Sequence, residues 1–408
     1  MSEPIVLISS YPPCPGDVSV FCADARQFIQ KHNPQRAVLV ISHRGGSGEW
    51  VLPLIDTSSN QWWEPVVRKL RELDPYVVHV QHDYGLYERV GQGEDTAGNQ
   101  GFLELLNALR DYPLVVEPHT IHARMGDAQA QFLHHLCEMA DVVIFKCHYH
   151  KWRLDWTFPG LGFKTPTNIM IVPHGVRPDR RYGVHEVPQI RRDLHLDQVP
   201  GLSMHLVGLI TTGYSNKRWD ILTNIWEEIR REILARTGQE WDLLAAGAVD
   251  DTRHEADYKH YKDKVQQLEH KGLAHHYEFV PGEESYYKMM AVCDFIVLPS
   301  TDETQAGTLA RIIALNKPFI TSAPIEGLTA QTLESGGGLL FTNEHMLREA
   351  VLRLASDEGL RLRLGNQLKA YLDEVVSWDI VAGQYNQAYD HARNAKLCGA
   401  SVDLPSEF

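Results

Sequence analysis

Short, unbroken apolar runs recur down this chain, with helical-period segments between them. Ile5 to Ser9, Ala37 to Ser42, Tyr76 to Gln81, Leu114 to Glu117, Asp141 to Phe145 and Ile169 to Val172 are rich in β-branched residues and too short for buried helices. A run without polar alternation reads as a strand covered on both faces. Between these runs, Val18 to Lys31, Val66 to Leu73, Gly101 to Arg110 and Ala128 to Met139 carry helical patterns. Strand, helix and strand in succession close into right-handed βαβ units of a parallel sheet. The fold class is therefore α/β and doubly wound.

Residues 177–200 are charged and dotted with proline, and are expected to form a linker. The pattern then restarts, with strands expected at Ser203 to Ile210, Trp241 to Ala246, His276 to Val280, Ala291 to Leu298, Phe319 to Ser322 and Gly338 to Phe341. A chain of 408 residues is long for one core. Two Rossmann-like domains are expected, residues 1–190 and 200–380, facing each other across a cleft. Ligands of such sheets bind beyond the carboxyl ends of the strands, so the βα loops of both domains should line that cleft.

One of those loops is the stretch 299–318, PSTDETQAGTLARIIALNKP. It follows an apolar run and passes through a small polar turn into a helical pattern with Leu309, Ile312 and Ile313 on one face. The amides of Gly307, Thr308 and Leu309 would open that helix. Unpaired N–H groups and the helix dipole favour a phosphate there.

A formal net charge of -14 argues against nucleic acid as the main partner and weakens the case for an anionic membrane surface. No apolar run approaches the roughly 20 residues of a membrane span. The N-terminus has no basic region and no cleavage site of a signal peptide. The six cysteines lack CxxC pairs, as expected of reduced thiols, and the expected location is the cytoplasm.

Several landmarks then occur in a fixed order: YPPCPGDVSVF at 11–21, QHDYG at 81–85, EPHT at 117–120, VPHG at 172–175, AGTLA at 306–310 and SWDIVAGQYNQAY at 377–389. Together they resemble the retaining nucleotide-sugar glycosyltransferases of family four, which have the two-Rossmann GT-B fold. The likeness is greatest to a bacterial subgroup with QHEYG, TLHT and SGTLA-type motifs. The resemblance implies that residues 381–408 form a closing helix that crosses back to the first domain.

It also implies roles for residues. Lys217 and Arg218 stand where the family keeps its phosphate-binding lysine, and such cations neutralise a leaving diphosphate without reorganisation. With Gly16, Asp17, Gly307, Thr308, Leu309 and Arg311 they make up the expected donor site. His119 aligns with the histidine that meets the donor sugar, and would orient it while the leaving phosphate accepts the acceptor's proton. Glu303 would accept hydrogen bonds from the sugar hydroxyls. His82, Asp83 and Tyr84 would line the acceptor side.

Two departures stand out. The family carries two glutamates with seven residues between them; Glu303 fits the first, but Arg311 occupies the second position. Its glycine before Lys-Pro is here Asn316.

The resemblance implies a cytosolic hexosyltransferase, using a UDP- or GDP-linked sugar and an acceptor hydroxyl on a sugar, polyol or glycan. No metal or other cofactor is expected. The pairs His134–His135 and His275–His276 lack regular ligand spacing, and adjacent histidines on a helix point different ways. Two other readings suit the same fold: a glycoside phosphorylase, and a sugar-nucleotide binding protein without catalysis. Turnover with phosphate and no nucleotide would mark the first, and donor binding without consumption the second.

Overall fold

The computed structural model describes residues 3–87, 99–122, 125–211, 217–247, 255–277, 282–301, 307–323, 326–399 and 404. The chain divides into two compact units, residues 1–175 with 378–408, and residues 176–377.

The first unit is built on a seven-stranded, wholly parallel sheet. Its strands are β1 (Ile5–Ser9), β2 (Val38–His43), β3 (Val51–Ile55), β4 (Val77–His82), β5 (Leu114–Pro118), β6 (Val142–Phe145) and β7 (Ile169–Ile171). They lie in the order β3-β2-β1-β4-β5-β6-β7. All of β1, β4, β5 and β6 is buried, which explains their continuous apolar sequence.

Helices cover both faces of this sheet. On one, the helix Asp17–His32 packs with the closing helix Trp378–Cys398, joining Phe21, Phe28, Trp378, Val381, Tyr385 and Tyr389 in one core. The opposite core gathers Val66, Leu70, Phe102, Leu105, Phe132, Leu136, Leu154 and Phe158 from the outer helices.

The second unit has six parallel strands: β8 (His205–Ile210), β9 (Trp241–Ala246), β10 (Ala274–Tyr277), β11 (Phe295–Leu298), β12 (Phe319–Ser322) and β13 (Gly338–Phe341). Their order is β10-β9-β8-β11-β12-β13, again with a core on each face.

Four local features differ from the sequence reading. The run expected as a strand from Ala291 begins as one only at Phe295, because Met289, Met290 and Ala291 are the buried last turn of the helix Gly282–Ala291. Periodicity cannot separate a buried helix end from a strand. The pattern does not mark β3, whose Pro53 speaks against a strand; β3 is the sheet edge, where a missing N–H is tolerated. Nor does it mark the helix His148–Gly160, whose buried residues are only His150, Leu154 and Phe158. The expected linker is folded: it holds the helix Val187–Asp193, and Ile190 and Leu196 enter the second unit's core beside Val176 and Leu206.

Candidate functional site

In each sheet the strand order reverses once. The first reverses between β1 and β4, the second between β8 and β11. Loops leaving adjacent strands in opposite directions open a crevice there, at the carboxyl ends. Residues 10–16 and 83–85 flank the first crevice; beside the second lie Thr211, Lys217 and Arg218 after β8, and residues 299–301 and Gly307 after β11, the rest of those two loops being outside the described residues. The motifs at 11–21, 81–85 and 306–310 thus lie at or beyond the ends of strands that the topology selects, whereas those at 117–120 and 172–175 lie at or beyond the ends of β5 and β7.

Around the first crevice, Gly16 precedes the helix Asp17–His32 with φ 106°, a backbone region that an L side chain rarely adopts. A Cβ there would meet nothing within 4 Å, so backbone conformation rather than space calls for glycine. Ser19 Oγ lies 2.6 Å from the Cys14 carbonyl and 2.8 Å from that of Gly16, fixing the turn. Asp17 occupies the first helical turn, the favourable end for an acid.

The three expected acceptor-side residues divide. Asp83 Oδ2 accepts from Thr120 Oγ1 at 2.8 Å, tying the loop after β4 to the loop after β5. His82 is fully buried, with Nε2 3.0 Å from Asn99 Oδ1 and its ring among Tyr84, Phe102 and Phe132. Burial pushes its pKa down to about 4, against the opposing hydrogen bond from Asn99. Tyr84 is also interior, and burial raises its hydroxyl pKa. Of the three, Asp83 is the side chain outside the core.

His119 follows β5, and its backbone N–H donates to the His82 carbonyl at 2.7 Å. Burial lowers its pKa to about 4, with Glu117 pulling the other way. Its ring meets Phe21 edge-on, with centroids 4.7 Å apart. Phe21 also contacts His174 at 4.8 Å and Trp378 at 5.2 Å. Four separated motifs therefore converge on one phenylalanine.

Beneath His119 lies a polar cluster that the motifs did not reveal. Glu117 is fully buried; its Oε1 accepts from Lys146 Nζ and, at 2.6 Å, from Tyr385 OH. Its Oε2 accepts from Gln81 Nε2 at 3.1 Å, and lies 3.2 Å from His79 Nε2 and 3.9 Å from His119 Nε2. Burial alone would raise the Glu117 carboxyl, but Lys146 and then His79 hold it well below the usual range. A signal for this cluster was present in the sequence. Glu117 and Lys146 are charges attached to the apolar runs LVV and VVIF, where charge occurs when paired.

Around the second crevice, Lys217 is buried to 7% exposure at the start of the helix Trp219–Thr223. Arg218 takes a left-handed φ of 46° and turns its fork onto Asp220, with both nitrogen–oxygen distances 2.9 Å. That carboxylate already engages the guanidinium edge that a phosphate would use. Gly307, Thr308 and Leu309 form the first turn of the helix Gly307–Ala314, as expected. Glu303 lies outside the described residues.

Arg311, in the second glutamate's place, forms a bidentate pair with Glu283 on the helix Gly282–Ala291, at 2.8 and 2.9 Å. A carboxylate is thus held beside position 311 by another element. Asn316, where the family has glycine, adopts φ 53°, a conformation that Asn tolerates better than most residues.

One histidine pair, His134–His135, does not behave as the sequence suggested. One ligand atom from each of His134, His135 and Glu138 lies within 4.8 Å of the others, so these adjacent histidines do converge. They stand on the helix Asp127–Met139, and His135 and Glu138 border a hollow of about 300 Å³ with Glu104 of the helix Gln100–Ala108 and Arg110 of the turn after it. This is away from the strand ends. All six cysteines are unpaired, and no described helix is long and apolar enough to cross a membrane.

Residues 205–357 match the family model for glycosyl transferases group 1, a span that contains the whole second crevice. No curated protein sequence matches the chain at a significant level. Solved structures align over nearly its full length. A sucrose-phosphate synthase from Thermosynechococcus elongatus is 15% identical with TM-score 0.72, covering 96% of this chain and 100% of that one. The Anabaena protein HepE in complex with UDP is 13% identical with TM-score 0.69, covering 95% and 100%. A UDP-forming trehalose-phosphate synthase from Burkholderia xenovorans, in complex with glucose-6-phosphate, is 10% identical with TM-score 0.69, covering 95% and 100%. The fold is GT-B, and within the second unit residues 205–357 are similar to the glycosyl transferases group 1.

Proposed function

We propose that this chain is a retaining glycosyltransferase that moves a hexose from a nucleotide-diphosphate sugar to a hydroxyl of a sugar, polyol or glycan. The observation that carries this reading is the second crevice. Buried Lys217 and the helix N-terminus at Gly307 stand on loops leaving β8 and β11, the two strands between which the sheet order reverses. A fixed cation and a set of first-turn amides can together neutralise a leaving diphosphate as charge builds on it. Between UDP and GDP, the reading favours UDP, since similar structures hold UDP or UDP-glucose.

In this reading Lys217, Gly307, Thr308 and Leu309 hold the phosphates, and Glu303 and His119 orient the hexose. The leaving phosphate accepts the acceptor's proton, so no side-chain base and no metal is needed. Arg218 has a lesser part, because Asp220 engages it. Asp83 is the acceptor-side candidate, and the neighbour bound to glucose-6-phosphate makes sugar phosphates worth including among the acceptors tested.

The test is turnover of UDP-, GDP- and ADP-sugars, with anomeric configuration of the product read by proton NMR. Selective consumption of one donor with retention supports the reading. Turnover with inorganic phosphate in place of a nucleotide would show a phosphorylase instead. Binding of no nucleotide sugar would overturn the proposal.

A further inference from the structure

We infer that Glu117 is a positioning residue that fixes the tautomer and orientation of His119; the link to catalysis rests on the function proposed above, but the tautomer itself does not. The observation is the geometry around one buried carboxylate. Oε1 is held by Lys146 Nζ and Tyr385 OH, and Lys146 Nζ also lies 3.0 Å from Tyr385 OH. Gln81, the register partner of Glu117 across β4 and β5, donates to Oε2. The carboxylate therefore has little freedom to rotate, and its second oxygen is presented to two imidazoles.

Both rings turn Nε2 towards that oxygen, His79 at 3.2 Å and His119 at 3.9 Å. A bare Nε2 lone pair facing a carboxylate would be repelled, so both histidines carry their proton on Nε2. Charge balance agrees. Lys146 already neutralises Glu117, and a further imidazolium would leave an unpaired buried positive charge. His79 has a second anchor, with Nδ1 2.9 Å from Tyr389 OH on the closing helix. Among the described residues His119 has no hydrogen-bond partner at Nε2, and the Glu117 carboxylate lies 3.9 Å from that atom. With the proton held on Nε2, His119 Nδ1 is left as an acceptor. The state of one ring nitrogen is set by what the other faces.

Among the described residues, the charged or titratable groups that act on His119 are Glu117, Lys146, Asp83 and His79, and the ring of Phe21 meets it edge-on. Tyr385 and Tyr389 place part of this arrangement under the control of the Trp378–Cys398 helix, far along the chain from His119.

The experiment uses the full chain labelled with nitrogen-15 histidine, with His119 signals identified by their loss in His119→Gln. The wild type is expected to show the Nε2–H pattern for His119 at neutral pH. Glu117→Gln, which keeps an oxygen facing Nε2, should retain it. Glu117→Leu combined with Lys146→Met removes both charges and leaves no unpaired ion, so the unit should still fold. In that variant the His119 pattern should shift towards Nδ1–H or a mixture. Its kcat should fall about tenfold or more, with a much smaller change in donor KM, since misplacing a reacting group by a fraction of an ångström is enough for such a loss.

An unchanged His119 pattern in the folded double variant would overturn the proposal, as would an Nδ1–H pattern in the wild type. If the tautomer shifts as expected but no donor is ever turned over, the proposed function has failed and the positioning role of Glu117 stands.

Discussion

A Cβ placed on Gly175 would lie 2.3 Å from Cδ2 of Trp378, so the loop after β7 and the first residue of the closing helix specify one another. Gly175 ends the VPHG motif and Trp378 opens the last one, and the indole is buried to 1% exposure. The glycine is required for space, because the flat face of the ring occupies the volume of any side chain.

Gly175→Ala should therefore destabilise the protein by roughly 1–3 kcal/mol, the usual cost of overpacking. Combining it with Trp378→Leu should cost less than the sum of the two changes, since each relieves the other's misfit. Urea midpoints of the four proteins measure this.

Stability should fall as pH drops from 6.5 to 4. The pKa values of His82 and His119 both go from 6.5 to about 4 on burial. Over that window the unfolded chain binds protons that the folded protein refuses, so folding loses up to about 3 kcal/mol for each histidine. Glu117, held well below 4.5, acts in the same sense at lower pH, its contribution disappearing as pH falls through its folded value. Denaturation midpoints at pH 7.5 and 5 should differ clearly, and His82→Gln should narrow the gap.

Lys217 and Arg218 are neighbours, yet their removal should have unequal effects. Lys217→Ala takes away a buried cation beside the second crevice, and should weaken binding of a nucleoside diphosphate at least tenfold, or about 1.4 kcal/mol. Arg218→Ala releases Asp220 from its ion pair and should change affinity by less than about threefold, in keeping with the small worth of a half-exposed pair. Titration calorimetry with UDP separates the two.

Arg311 and Glu283 should behave as one unit. The Arg311 side chain is 12% exposed and that of Glu283 31%, so the pair is partly screened. Arg311→Met and Glu283→Gln should each destabilise, and a double-mutant cycle should return a coupling of roughly 1 kcal/mol. Additive effects would show that the pair contributes nothing.

Much of this architecture was legible because its determinants are local. Fully buried parallel strands such as IVLIS and FIVL are mostly apolar, and a glycine with positive φ such as Gly16 marks its own turn. The same locality explains what was missed. His82 was expected at the acceptor side because QHDYG resembles a family motif, but whether its ring faces the crevice or Phe102 depends on packing from a helix whose contact with it no motif encodes. The Glu117 cluster assembles β4, β5, β6 and the closing helix, and Tyr385 lies 268 residues from Glu117. Only the sheet order and the return of the last helix bring those side chains together. Arg311 was read as a departure, and its compensation by Glu283 lies 28 residues earlier, on another helix.

The return of the chain at Trp378 has a consequence for biosynthesis. During synthesis, residues 1–175 leave the ribosome long before the helix that covers Phe21, Val77, Val115 and Ile144 has been made. Until Trp378, Val381, Tyr385 and Tyr389 follow, the part of that sheet face not covered by the helix Asp17–His32 is open and the Glu117–Lys146 pair lacks its tyrosine. The second unit is continuous in sequence and can close while still tethered. The Trp378–Cys398 helix therefore completes a unit whose sheet is translated far earlier, and that nascent sheet presents a sticky apolar surface for the interval between.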